Sequence, residues 1–279
     1  MQITLCSSND KNYQKLLSDL LKPIFLDFQF YYDLNLWNSD YESYSVILDD
    51  KIVSNICGYK TRILFRGREY EALSIGAVAT REGFRGKGYS RAIMEYIIDK
   101  YENTPMYLSA NESVLDFYPR FGFSRVYEKL PVADYAVDNA LAPKMLRYDD
   151  PKVWDYVYKR INYSKELDCL NAAPTNLFHI YWGYLRGHIY EIPELETIII
   201  ANQNQTGLKI IGVFALKEYS FADLARFLPF SGVMRIGFGF TPYWDDLKYE
   251  MVVYESDPFF IRNVNCDLGD FKFPELSIT

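Results

Sequence analysis

The run Arg85-Gly86-Lys87-Gly88-Tyr89-Ser90-Arg91 gathers residue types that hold anions. A helix N-terminus presents unpaired backbone N–H groups and a partial positive charge. A pyrophosphate can sit there if the backbone approaches closely, which favours glycine. Gly86 and Gly88 supply that freedom, while Arg85 and Lys87 add positive charge. Lys87 also reads simply as a solvated loop charge. No GxxxxGK followed by Ser or Thr occurs, which excludes a P-loop. No GxGxxG opens a βαβ unit with an acidic residue about twenty positions on, which argues against a dinucleotide fold.

A second group lies downstream, Asn111-Glu112-Ser113-Val114-Leu115-Asp116-Phe117-Tyr118-Pro119-Arg120-Phe121-Gly122-Phe123. It offers an amide side chain, Asn111, and a phenol, Tyr118. A phenol can give a proton to a leaving group. It can equally pack in a core as a helix aromatic.

These residues need elements to position them. Apolar groups at Tyr13, Leu16, Leu17, Leu20 and Leu21 have helical spacing, and predict a helix over 11–21. Tyr44–Leu48 and Ile52–Tyr59 read as strands joined by the turn Asp49-Asp50-Lys51. Arg62–Tyr70 and Leu73–Thr80 read as another pair with Gly67 at the bend. The motif strand ends near Thr80, the glycine loop follows, and a helix begins with Ala92, Ile93, Tyr96, Ile97 and Tyr101 on its buried stripe. A strand at Met106–Ala110, a helix around Ser113–Phe121 and a strand from Phe123 complete the half.

Leu130–Pro151 carries three prolines, and a domain boundary is placed there, giving domains 1–141 and 142–279. The second half starts over. Met145-Leu146 and the helix from Lys152 to Ile161 echo Ile3-Thr4-Leu5 and the first helix. A helix at Asn176–Leu185, strands at Glu196–Ala201 and Lys209–Leu216, a helix at Phe221–Phe227 and a strand at Met234–Phe240 follow. A degenerate repeat of the first domain is one reading of this half.

Arg85-Gly86-Lys87-Gly88-Tyr89-Ser90 resembles the Arg/Gln-x-x-Gly-x-Gly/Ala loop of the GCN5-related N-acetyltransferases (GNAT), with Ser90 where Gly or Ala is usual. The segment from Asn111 to Phe123 resembles that family's Asn, then helix, then Phe-Tyr-x-x-x-Gly-Phe ending. The resemblance implies a GNAT fold: a mixed, mostly antiparallel sheet flanked by helices, in an α/β (α+β) molecule with a second, smaller α+β domain. It implies acetyl-CoA as co-substrate, with Val78, Ala79 and Thr80 on the pantetheine arm. Arg85, Gly86, Lys87, Gly88, Tyr89, Ser90 and Arg91 would hold the pyrophosphate, and Asn111 would contact the arm. Tyr118 would protonate the departing thiolate. The acceptor would be a primary amine of a small molecule or peptide. The helix start after Gly88 and the Tyr-x-Arg-Phe-Gly-Phe ending also resemble the enhanced-intracellular-survival branch, in which the end of the chain reaches the active site. Thr279 is therefore the residue to locate. No glutamate stands on the strand before Asn111, and Glu71 is a weak substitute base that reads more readily as a solvated strand-end charge.

Composition bounds the alternatives. Hydrophobic residues make up 49% and charged residues 24%, which is ordinary for a globular chain. A net charge of −7 argues against nucleic acid as partner. No basic-then-apolar leader is present at the start of the sequence, and apolar runs such as Thr197–Ala201 are strand-sized, so no membrane association and a cytoplasmic location are expected. Cys6, Cys57, Cys169 and Cys266 are scattered, and His179 and His188 lack an acidic partner pattern, so no metal site is expected. The 25 Tyr and 19 Phe serve a core, or wall a pocket for an organic cation. Two other functions stay open: a non-catalytic acyl-CoA or amine sensor, and a partner-docking or homo-oligomeric protein using Phe178–Tyr184. Such a stripe is more often core.

Overall fold

The computed structural model describes residues 2–6, 10–137, 141–183, 187–204, 207–228 and 232–279. The first half runs β1 (Thr4–Cys6), α1 (Lys11–Leu21), α2 (Gln29–Asp33), β2 (Tyr41–Leu48), β3 (Lys51–Phe65), β4 (Arg68–Thr80), α3 (Tyr89–Lys100), β5 (Met106–Ser109), β6 (Ser124–Val126) and β7 (Lys129–Val137). The second runs β8 (Lys144–Leu146), α4 (Pro151–Lys159), β9 (Leu167–Cys169), α5 (Ala173–Trp182), β10 (His188–Ile192), β11 (Thr197–Asn204), β12 (Gly207–Ala215), α6 (Phe221–Ala225), β13 (Gly232–Phe238), β14 (Glu250–Val253) and β15 (Phe259–Arg262).

Local chemistry explains the elements. Asp10 caps α1 by accepting from the Tyr13 amide, and the helix buries Tyr13, Leu17, Leu20 and Leu21 along one stripe. β2 turns into β3 through Asp49 and Asp50, both at positive φ, a conformation that Asp tolerates better than most residues. The strands expected at 52–59, 62–70 and 73–80 form one long hairpin, β3–β4. It reverses at Arg66-Gly67, with φ of +47° and +74°.

One sheet runs β1-β2-β3-β4-β5-β15-β6, with β9 paired to β3; the other runs β14-β7-β13-β12-β11-β10-β8. Both are mixed, and each has one parallel contact on its main path: β4 with β5 and β12 with β13. The halves share a plan. In each, an edge strand and a helix precede an antiparallel meander, and a helix crosses over to a parallel strand (β1-α1, β2-β3-β4, α3, β5; then β8-α4, β10-β11-β12, α6, β13). The repeat expected from the short echo at Met145-Leu146 is therefore a repeat of topology.

Sheet membership does not follow the division at residue 142. β7, N-terminal to it, lies between β13 and β14; β15, C-terminal to it, lies between β5 and β6. The halves exchange a strand each way. The stretch read as a linker thus contains a strand, and Pro131 is accommodated opposite the short partner strand β14. One apolar cluster also draws on both halves, joining Leu17 and Leu20 of α1 to Val153 of α4 and Leu177 and Ile180 of α5. Phe178 stacks on Phe28 and Phe30 at 5.6 Å, so this aromatic segment packs against the first half. Tyr184 and Leu185 lie outside the described residues.

Ser113–Phe121 is not an α-helix. Two 3-10 segments, Glu112–Val114 and Tyr118–Phe121, take its place. Pro119 lacks an N–H and disfavours the helical region for the residue before it.

Candidate active site

β4 carries the geometry on which the site depends. Its register with β3 shifts between Asn55↔Ala79 and Cys57↔Gly76, so Ala77 and Val78 together oppose Ile56. This is a β-bulge, and Ala77 within it has φ +47°. From Ile75, just before the bulge, β4 no longer follows β5. The two pair only at Leu73↔Met106 and Ser74↔Tyr107, while β5 continues to pair with β15 on its other edge. A cleft therefore opens between β4 and β5 from Ile75 onward. Its β4 wall contains Val78, Ala79 and Thr80.

Beyond the C-terminal end of β4 lies the glycine loop. A 3-10 turn over Glu82–Phe84 leads to Gly86 and Gly88 at φ +75° and +83°. Gly88 is the N-cap of α3, and no side chain caps the helix. The amides of Tyr89, Ser90 and Arg91 are among those with no carbonyl partner in the helix. A methyl group built on Gly86 or Gly88 would meet nothing within 4 Å, so this side of the loop is open. Arg85, Lys87 and Arg91 are exposed around it. Lys87 Nζ sits 4.9 Å from the Phe84 ring centre, and Arg85 Nε donates to the Thr80 carbonyl at 3.3 Å.

Ser90 does more than replace a small residue. Its hydroxyl lies 2.6 Å from Thr80 Oγ1 and 3.1 Å from Ser54 Oγ, and the latter two are 2.8 Å apart. This knot of three hydroxyls ties α3 to the ends of β3 and β4. Arg81 braces the same corner, donating to the Ile52 carbonyl at 2.8 Å and pairing with Asp19 at 2.8 Å.

Tyr118 is buried, 5% exposed, on the other side of the cleft. Its ring packs against Phe117, Phe123 and, from the exchanged strand β15, Phe260 at 5.5 Å. Burial pushes its pKa up to about 12. Asn111 stands exposed at the start of the first 3-10 segment. Glu71 is exposed on the hairpin arm, six residues before Ala77, which is about 20 Å along a strand. That places it remote from the bulge.

The last segment of the chain supplies a wall with no local sequence signal. Thr279 lies on β4 beside the bulge, with its hydroxyl bonded to that of Ser74. A Cβ at Gly76 would come within 3.1 Å of the Thr279 carbonyl carbon, so any larger residue would crowd Thr279 here. The second half holds the segment in place. Asn176 Nδ2 donates to the Leu276 carbonyl at 2.8 Å, and His179 Nε2 lies 2.7 Å from the Ile278 carbonyl. His179 and His188 also line a cavity of about 240 Å³ that, among the described residues, is walled by no Asp, Glu or Cys.

The second half has a helix, α6, at the place of α3, but its start is closed. Ser220 and Asp223 form a capping box, and Asp246 accepts from the Phe221 and Ala222 amides at 2.9 Å each. A carboxylate of the protein itself occupies the amides that are open in α3.

Residues 28–126, which contain β4, the loop, α3 and Tyr118, match the acetyltransferase (GNAT) domain. A UPF0039 protein of Synechocystis sp. is 32% identical over 82 residues, 28% of this chain and 52% of that protein, so the match spans about half the relative's length. Among solved structures, a conserved protein from Enterococcus faecalis V583, described as a probable N-acyltransferase, superposes with a TM-score of 0.57 at 17% identity over 94% of this chain and 71% of its own. Eis1 from Mycobacterium abscessus gives 0.58 at 12% identity over 94% and 73%. A GCN5-related N-acetyltransferase from Anabaena variabilis gives 0.56 at 13% identity over 95% and 73%. These likenesses span both halves and establish the shared fold. Over residues 28–126 the chain is similar to the acetyltransferase (GNAT) domain.

Proposed function

We propose that the protein transfers an acetyl group from acetyl-CoA to a primary amine of a small molecule or peptide, in one direct step. The observation that carries this reading is the cleft made where β4 bulges away from β5, with the uncapped start of α3 at its end. The pyrophosphate of the coenzyme would lie on the amides following Gly88, flanked by Arg85, Lys87 and Arg91. The pantetheine arm would run along Val78, Ala79 and Thr80 toward the bulge, with Asn111 near its path. Backbone amides of the bulged strand would receive the oxyanion that forms when the amine attacks the thioester carbonyl. The C–N bond forms, the C–S bond breaks, and Tyr118 gives its proton to the departing thiolate. Thr279, which lies against Gly76, would pass on the proton that the amine must lose.

The test is a calorimetric titration of the full chain with acetyl-CoA, followed by an amine screen read by release of free CoA thiol. Micromolar binding, on the order of −8 kcal/mol, with thiol release on amine addition supports the reading. Absence of binding overturns it. Binding with no release across aminoglycosides, polyamines and peptide amines favours instead a sensor that holds acyl-CoA without turnover.

A further inference from the structure

We infer that Asn55 is the positioning residue that sets the β4 bulge from inside the protein core, and through it the backbone that holds the acyl group. This rests on the acetyltransferase reading above. Asn55 is fully buried on β3, opposite the bulge. Its Nδ2 donates to the carbonyl of Ala77 at 3.2 Å, the residue at φ +47°, and to Cys57 Sγ at 3.2 Å. Its Oδ1 accepts from Ser43 and Ser45 at 2.7 and 2.8 Å. The Tyr13 hydroxyl of α1 closes the network, 2.9 Å from Ser43 and 2.6 Å from Ser45. All of these side chains are buried.

The amide has two donors and two acceptor positions, and all four are in use. Reversing it would aim Oδ1 at the Ala77 carbonyl, acceptor against acceptor, so the network fixes one orientation. Alanine gains nothing from a left-handed backbone and pays steric cost there. An outside hold is needed, and Asn55 supplies one directly on the bulged residue. Three elements, α1, β2 and β3, thereby lock the strand that leaves β5. Besides the backbone pairing of Asn55 with Ala79, which any residue at position 55 would make, the network reaches the bulge through the Ala77 carbonyl.

The role separates from simple core packing. Asn55→Leu keeps the forked shape in a larger side chain but removes the hold on Ala77, whereas Ser43→Ala removes the buried hydrogen bonds of Ser43 in the same network and leaves Asn55–Ala77 intact. In the folded Asn55→Leu variant, kcat should fall at least tenfold. Coenzyme affinity, set at the glycine loop, should stay within about threefold. Ser43→Ala should lower the melting temperature yet keep kcat within about threefold. Ala77→Val leaves Asn55 in place but puts a branched side chain where the left-handed backbone tolerates it poorly. It should reproduce the kcat loss, and it serves also if Asn55→Leu does not fold. Wild-type kcat in a folded Asn55→Leu or Ala77→Val variant would overturn the positioning role while leaving the acetyltransferase reading intact. A kcat loss in Ser43→Ala equal to that in Asn55→Leu would overturn it too, since the effect would then be general to the core. A wild type that binds no coenzyme and transfers nothing would overturn the parent reading instead.

Discussion

Tyr118 illustrates how burial and chemistry meet in one side chain. Its ring is enclosed by Phe117, Phe123 and Phe260, and burial holds the phenol protonated up to about 12. A general acid must carry its proton at working pH, and in the proposed role Tyr118 would do so with a wide margin. Tyr118→Phe keeps the packing and removes only the hydroxyl. It should lower kcat at least tenfold while coenzyme affinity changes less than about twofold. Unchanged turnover would remove Tyr118 from the mechanism. The sign of the shift predicts the pH profile as well. Since the folded-state pKa is raised, the acid form persists through neutral and mildly alkaline pH. The rate should therefore climb as the acceptor amine loses its proton and show no falling limb below about pH 10. A falling limb near pH 8 to 9 that vanishes in Tyr118→Phe would show Tyr118 titrating there and contradict the raised pKa, while leaving it as the acid.

At the scale of elements, the loop and α3 would act as one anion cradle, and α6 supplies the contrast. α6 begins under Ser220, Asp223 and Asp246; α3 begins under Gly88 alone. Gly88→Asp should add a carboxylate where α6 has one by nature, and also strain a residue at φ +83°. Coenzyme binding by calorimetry should fall below detection while the far-ultraviolet circular dichroism stays native-like. Retained affinity would mean that the pyrophosphate binds elsewhere. The loop and the start of α3 were legible in the sequence because glycine and a helix start leave local marks. So was α1, whose apolar spacing matches the observed Lys11–Leu21. The bulge was not legible, since Ala77 carries no mark of a positive φ. Asn55 reads as an ordinary strand residue until its partners at Ser43, Ser45 and Ala77 are seen. Thr279 meets Ser74 from 205 residues away, and no local pattern encodes such a contact. The 3-10 turns at Glu112–Val114 and Tyr118–Phe121 replaced an expected helix because Pro119 outweighs the apolar spacing around it. β14 and β15 are four residues each, too short to show a period, and their pairing partners lie in the other half of the chain.

The whole molecule is a pair of related halves that cannot be parted cleanly. Cutting at residue 142 would leave the first sheet without β15, so β5 and β6 would lose the strand that joins them. Tyr118 would lose Phe260, and β4 would lose Thr279. The second sheet would lose β7, leaving β13 and β14 unjoined. Each fragment would expose unpaired strand edges and the apolar surface that α1, α4 and α5 now share, a recipe for aggregation. Buried ion pairs reinforce the join. Lys272 lies 3.1 Å from Glu128 and 3.5 Å from Glu275, and breaking such a pair by removing one partner leaves a buried charge uncompensated. Residues 1–141 expressed alone should therefore lack a cooperative thermal transition and bind no acetyl-CoA, although they contain the loop, α3 and Tyr118. Co-expression with residues 142–279 should restore both properties, because the exchanged strands can pair without a covalent link. The measurement is thermal unfolding by circular dichroism alongside calorimetry, on each fragment and on the pair. If 1–141 alone unfolds cooperatively and binds the coenzyme, the strand exchange is dispensable and the second half must have another purpose. If only the reassembled pair does so, the second half is there to complete the catalytic sheet, with β15 inside it and Thr279 at its bulge.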